Sequence, residues 1–175
     1  MKSQQASPAS QQPPQPPPFQ RRIRLEGPQK IGVPLLALIP LAALFGAFGL
    51  RADEARAVGD GVTLQVRYPA LLRRTTALPF ELTVVNGGSQ PLSGVSARID
   101  RSWLSHFSGT ELTPQPDRLT ERHAEITIGE LAPGAERKVV GMLQGGDYGR
   151  HAGQLGIAVG GRVVTEAPLR TLVLP

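Results

Sequence analysis

From Val62 onward the chain alternates apolar and polar side chains with a period of two. Val62, Leu64, Val66 and Tyr68 are interleaved with Thr63, Gln65 and Arg67. Side chains two residues apart share one face of a strand, so the pattern describes strands with one wet and one buried face. It recurs at residues 80–84, 95–100, 124–128, 139–143 and 155–159. Gly160-Gly161 has the form of a two-residue hairpin turn leading into a strand at 163–166. A last strand at 169–174 closes the chain, with Pro168 expected at a bulge or a sheet edge. Asn86-Gly87-Gly88 and Pro133-Gly134 supply turn chemistry between runs. Residues 105–121 hold few core candidates and are expected to form the longest loop. No stretch here sustains a 3.6-residue period. The prediction is an all-β, antiparallel β-sandwich over 61–175.

Ahead of the strands lies a different kind of segment. Residues 31–50 carry no charge, and eleven of the twenty are Leu, Ile, Val or Phe. As a helix, twenty residues span about 30 Å, the thickness of a hydrocarbon core. Their insertion is favoured by roughly 5 kcal/mol, a figure reduced by Pro34, Pro40 and the glycines. A transmembrane helix is therefore expected over 31–50, kinked at Pro40. The rival reading is a signal peptide, because Ala47-Phe48-Gly49 and Ala55-Arg56-Ala57 match the small-x-small cleavage pattern. Against cleavage stand the length of the run and the thirty residues before it. Arg21, Arg22, Arg24 and Lys30 precede the run, whereas Arg51 and Arg56 follow it mixed with Asp53, Glu54 and Asp60. Positive-inside counting puts the amino terminus in the cytoplasm. The domain after a linker at 51–60 then lies outside it, at a bacterial inner membrane.

Composition narrows the function. Residues 1–20 contain six Gln and six Pro and cannot bury enough apolar surface to order themselves. Residues 1–30 are read as a disordered, basic cytoplasmic tail. The net charge of +5 sits largely in that tail, since 51–175 holds fourteen basic against thirteen acidic residues. That balance argues against nucleic-acid binding, which wants basic residues gathered on a folded face. Cysteine is absent, which excludes disulfides, thiolate catalysis and cysteine zinc sites. Sixteen Arg against three Lys, with abundant Ala, Gly and Pro, fits a GC-rich bacterial genome.

Two stretches, "FELTVVNGGSQPLSGVSARI" and "ITIGELAPGAERKVVGML", together resemble bacterial Ig-like domains of the CARDB type. Those domains pair a strand ending in V-x-N-x-G with a later L-x-P-G turn. The tail "GDYGRHAGQLGIAV…TLVLP" is also similar to the β-rich amino-terminal part of envelope proteins that carry a von Willebrand A-like domain. That domain itself is missing here. Asp100-Arg101-Ser102 begins like its D-x-S-x-S metal motif, but the next serine, Ser105, stands one place too late. The resemblance implies a non-catalytic sandwich displayed outside the cytoplasm.

The residues offer little catalytic chemistry. His106, His123 and His151 form no i, i+4 pair, and there is no H-E-x-x-H or G-x-S-x-G. Neither a cofactor nor a metal site is predicted. The alternative is an anchored or secreted hydrolase in which Ser102 or Ser105 meets a histidine backed by a carboxylate. Two clusters remain as binding candidates. Trp103, His106 and Phe107 follow a strand, and Tyr148 and Arg150 sit in a Gly-rich turn beside Asp147. The competing roles are a core plug for Trp103 and Phe107, and a solvated Asp147–Arg150 pair beside a packed Tyr148. The resulting expectation is a single-pass envelope protein that presents a non-catalytic binding or scaffold domain. Its partners would be the lipid bilayer and another membrane or envelope protein.

Overall fold

The computed structural model describes residues 27–44 and 49–175. The chain divides into two units, residues 1–45 and 46–175. In the first, helix α1 (Gly27–Leu44) runs through both Pro34 and Pro40. It starts four residues before the expected span of 31–50. Residues 45–48 lie outside the described residues, and Gly49 and Leu50 are not helical. Among the described residues, no helix is long and apolar enough to cross a membrane. Of the expected disordered tail, residues 1–26 lie outside the described residues, and residues 27–30 open α1.

The second unit is all β apart from one short turn of helix. Its strands are β1 (Arg51–Gly59), β2 (Val62–Arg73), β3 (Ala77–Asn86), β4 (Leu92–Asp100) and β5 (Phe107–Thr113). They continue as β6 (Arg118–Leu119), β7 (His123–Leu131), β8 (Glu136–Gly145), β9 (Gly149–Val159) and β10 (Arg162–Leu174). Helix α2 (Arg101–Leu104) follows β4. All ten strands join one hydrogen-bonded sheet in the order β5-β8-β3-β2-β10-β9-β4-β7-β6, with β1 added on β2.

That sheet folds over through β2 into two layers, with β5 and β6 left as open edges. The first half of β2 pairs antiparallel with β3, from Val62↔Asn86 to Arg67↔Glu81. Its last residues run parallel to the end of β10, with Leu71↔Leu172 and Arg73↔Leu174. One strand thus belongs to two layers, β1-β2-β3-β8-β5 and β10-β9-β4-β7-β6. The inward residues of both layers form a single core, including Leu64, Phe80, Leu82, Ile99, Ile126 and Leu155. The period-two alternation read in the sequence places the right residues inward on β2, β3, β4, β7 and β9.

Three expectations are corrected. Residues 51–60 are not a linker. They form β1 and an Asp60-Gly61 turn, in which both residues have positive φ (47° and 77°), as a type I′ hairpin requires. β1 turns only small residues toward the core, with Ala55 and Ala57 packed against it. Small inward side chains give a weak alternation signal. Residues 105–121 are not one long loop, because β5 and β6 lie within them. β5 is an edge strand that buries only Phe107 and Leu112, so its apolar pattern is sparse. Finally, 163–166 and 169–174 are one strand. The irregularity falls between Val163 and Thr165, not at Pro168. Pro168 lies on the stretch of β10 before its pairing with β2 begins at Leu172, so β10 there has a free side for a residue without an N–H.

Asn86 ties the two turn motifs together. It is fully buried at the end of β3. Its side-chain Nδ2 donates to Leu131 O (3.0 Å) and to Gln90 O (2.8 Å). Its Oδ1 accepts from Gly88 N (2.9 Å), and its backbone N–H donates to Ala135 O. The V-x-N-x-G strand end and the L-x-P-G turn are therefore one hydrogen-bonded unit.

Candidate functional site

At the opposite end of the sandwich, β2 stops, β5 starts and β8 turns into β9. Asp100 caps α2 by accepting from Ser102 N (2.9 Å) and Ser102 Oγ (2.7 Å). The Asp-Arg-Ser step that resembles the start of a metal motif is thus a helix cap. The cap aims Trp103 inward, where it is fully buried. The Trp103 ring packs against Phe107 at 4.8 Å between centroids, and against Tyr68 and Phe80 at 6.4 and 6.5 Å. Its Nε1 donates to Thr171 Oγ1 (3.2 Å), which in turn donates to Pro69 O (2.7 Å). Gly153 makes this possible, because a Cβ there would collide with the Cβ of Trp103. Trp103 and Phe107 are accordingly parts of the core. Burial withdraws both from the surface a partner of the folded domain meets.

The remaining candidates lie just above that plug. His106 and His151 stack at 3.8 Å between ring centroids and 23° between planes. His106 Nδ1 lies 3.2 Å from Asp147 Oδ2, and His151 Nε2 lies 2.9 Å from the Asp147 backbone oxygen. Carboxylate and carbonyl oxygens only accept, so both of those ring nitrogens carry protons. The β8–β9 turn is held from below as well, since Gly146 N and Asp147 N both donate to His106 O. Tyr148 follows and is 54% exposed. Arg74 Nη1 donates to its hydroxyl (3.3 Å), and the guanidinium carbon sits 5.3 Å from the ring centroid. The hydrogen bond to the Tyr148 oxygen, then attraction to that oxygen, raises Arg74 above the ordinary arginine value. Arg150 is exposed on β9, and Asp147 pairs with His106 rather than with Arg150.

The structure therefore brings His106 and Tyr148 to one turn, adds Arg74, Asp147 and His151, and turns Arg150 onto the outer face of β9. Arg74 carries no sequence signal beyond being one of two adjacent arginines. Its partner is 74 residues away. Neither serine of the hydrolase alternative meets an imidazole. Ser102 Oγ is bonded to Asp100 and Ser105 Oγ to Ser102 O. Among the described residues, no group of three His, Cys, Asp or Glu side chains is placed to hold a metal ion.

Two curled layers around one core, with loops gathered at each end, define an all-β sandwich domain. Among solved structures it is similar to the CARDB domain of a Pyrococcus furiosus protein. The solution NMR structure of that domain is 13% identical, covers 65% of this chain and 94% of its own, and gives a TM-score of 0.46. A crystal structure of the same domain with di-metal ions is 13% identical over 73% and 91%, with a TM-score of 0.43. The bacterial hydrophobin BslA is 12% identical over 71% and 98%, with a TM-score of 0.38. No protein-family model matches the chain, and no curated protein does.

Proposed function

We propose that this is a single-pass bacterial envelope protein that holds a non-catalytic Ig-like domain outside the cytoplasm, as an accessory subunit of a membrane or periplasmic complex. The observation that carries the reading is one of adjacency. The uncharged run at 31–50 ends where β1 begins, at Arg51, with no spacer between them. The length and composition of that run and its basic amino-terminal flank support the anchor alongside this adjacency. Exposed Tyr148, with Arg74 against its ring and His106 holding the adjoining turn, forms the face offered to a partner protein. Tyr and Arg are residue types enriched where binding energy concentrates.

The test has two parts. Alkaline carbonate extraction of native membranes is expected to leave the full-length chain in the pellet, and release into the supernatant overturns the anchor. A photo-crosslinking residue at position 148 is expected to capture a discrete envelope protein, while one at position 137, at the far end of β8, is not. Equal capture at both positions overturns the assignment of the face.

A further inference from the structure

The same end of the domain carries a second surface, on the outer face of the strands beside the tyrosine turn. Strand register assembles it. Arg51 opens β1 opposite Leu71 of β2. Leu71 pairs with Leu172 of β10, and Leu172 with Arg150 of β9. Arg73 pairs with Leu174, and Arg170 lies two residues before Leu172, opposite Ala152. Directly paired residues share a face. The alternating partners Leu72, Thr171 and Val173 are buried, so this set points away from the core. Leu71, Leu172 and Leu174 are half-buried at its centre. Arg51, Arg73, Arg150 and Arg170 surround them and are all exposed, with Arg74 at the rim. None of these five arginines forms an ion pair among the described residues. The two acidic residues nearest in register are Asp53, two positions along β1, and Asp147, which is held by His106. A shallow groove of about 450 Å³ runs between Arg150 and Arg170 over Ala70 and Ala152.

We infer that this surface docks on anionic lipid headgroups, so that the domain lies against the bilayer rather than hanging free from its anchor. The inference rests on the anchored reading above. It adds to that reading that the folded domain has its own lipid contact. Three features fix the occupant. Arginine offers planar forks of donors that match phosphate oxygens. Apolar centres ringed by basic residues, with a tyrosine at the margin, suit the boundary between headgroup and acyl chain. The chain also enters the domain at this corner, at Arg51, directly after exposed Leu50 and the apolar run.

Hydrogen exchange on the full-length chain tests it, in vesicles of phosphatidylcholine alone or with about one third phosphatidylglycerol. Amides of 71–74, 148–152 and 170–174 are expected to exchange more slowly only when phosphatidylglycerol is present. An Arg150→Glu/Arg170→Glu chain is expected to lose that protection, and an Arg137→Glu control at the far end to keep it. Each arginine removed is expected to weaken the docking equilibrium about fivefold, and added salt to weaken it further. Arg150→Gln/Arg170→Gln, which adds no negative charge, is expected to fall between the two. Equal exchange in both kinds of vesicle overturns the docking. Protection by polyglutamate in phosphatidylcholine vesicles, matching that by phosphatidylglycerol, overturns it in favour of an acidic protein segment. Carbonate release of a chain whose arginine-dependent protection persists instead overturns the anchor and leaves the docking standing.

Discussion

A buried asparagine is stabilising only when each of its polar atoms finds a partner, and Asn86 achieves this by spanning two turns that are far apart in sequence. Asn86→Ala strands two carbonyls and one N–H, and is expected to cost about 2–4 kcal/mol in a urea melt. Asn86→Asp is predicted to be worse at neutral pH, because a carboxylate would face Gln90 O and Leu131 O. Burial against those oxygens raises the folded-state value of the new carboxyl above its unfolded one. Its penalty is therefore small in acid and grows as pH rises through the unfolded value. An aspartate variant equally destabilised at every pH would contradict this. Trp103 poses a packing problem of the same size. Trp103→Ala empties the space shared with Tyr68, Phe80 and Phe107, and is expected to cost about 3–5 kcal/mol. Gly153→Ala is predicted to cost about 1–3 kcal/mol through overpacking, since the added methyl meets the Cβ of Trp103. The chain has one tryptophan, so fluorescence-detected unfolding reads Gly153→Ala at this site directly, while Trp103→Ala, which loses that fluorophore, is read by circular dichroism.

Among the elements, β1 separates what could be read in the sequence from what could not. Strands that bury Val, Leu, Ile and Phe at every second position were legible because each buried side chain announces itself. β1 turns alanines inward, so its pattern is faint. Asp60-Gly61, among the strongest hairpin dipeptides, is the signal that the linker reading passed over. β5 stayed hidden for a different reason: an edge strand with two buried side chains needs no regular alternation. The site divides in the same way. Tyr148 and Arg150 stood out as exposed types in a turn, whereas the His106–His151 stack joins residues 45 positions apart through the closure of the sandwich. The β1 assignment makes a prediction. A chain starting at residue 61 leaves the edge of β2 from Val62 to Leu71 without its partner. Such an edge templates pairing with another molecule. The shorter domain is expected to unfold at lower urea concentration and to self-associate in sedimentation velocity, while a chain starting at residue 49 does not.

At the scale of the whole molecule, one layer carries two carboxyls that folding lowers. In the β10-β9-β4-β7-β6 layer, Glu125 of β7 accepts from Ser96 Oγ (2.8 Å) and from Arg98 Nε and Nη2 (both 3.3 Å) on β4. Arg98 Nη1 continues to Gly161 O, in the turn between β9 and β10. One carboxylate thus helps to hold four strands. The Ser96 hydrogen bond and then Arg98 keep the Glu125 carboxyl below its ordinary value of 4.5, against the opposing effect of burial. Asp117 is lowered too, chiefly by the Thr127 backbone N–H it accepts. A carboxyl lowered by folding adds stability that is complete above its unfolded value and is lost as pH falls through its folded one. Stability is therefore expected to hold from pH 7 down to about 5 and to fall below about 4. Ser96→Ala removes the largest cause of the Glu125 shift and is expected to cost about 1–2 kcal/mol at pH 7. Its effect should shrink as the pH falls through the lowered folded-state value of the wild-type carboxyl. Urea midpoints of wild type and variant at pH 7 and pH 3 decide the matter, since a gap equal at both would place the acid sensitivity of this fold outside the Ser96–Glu125–Arg98 junction.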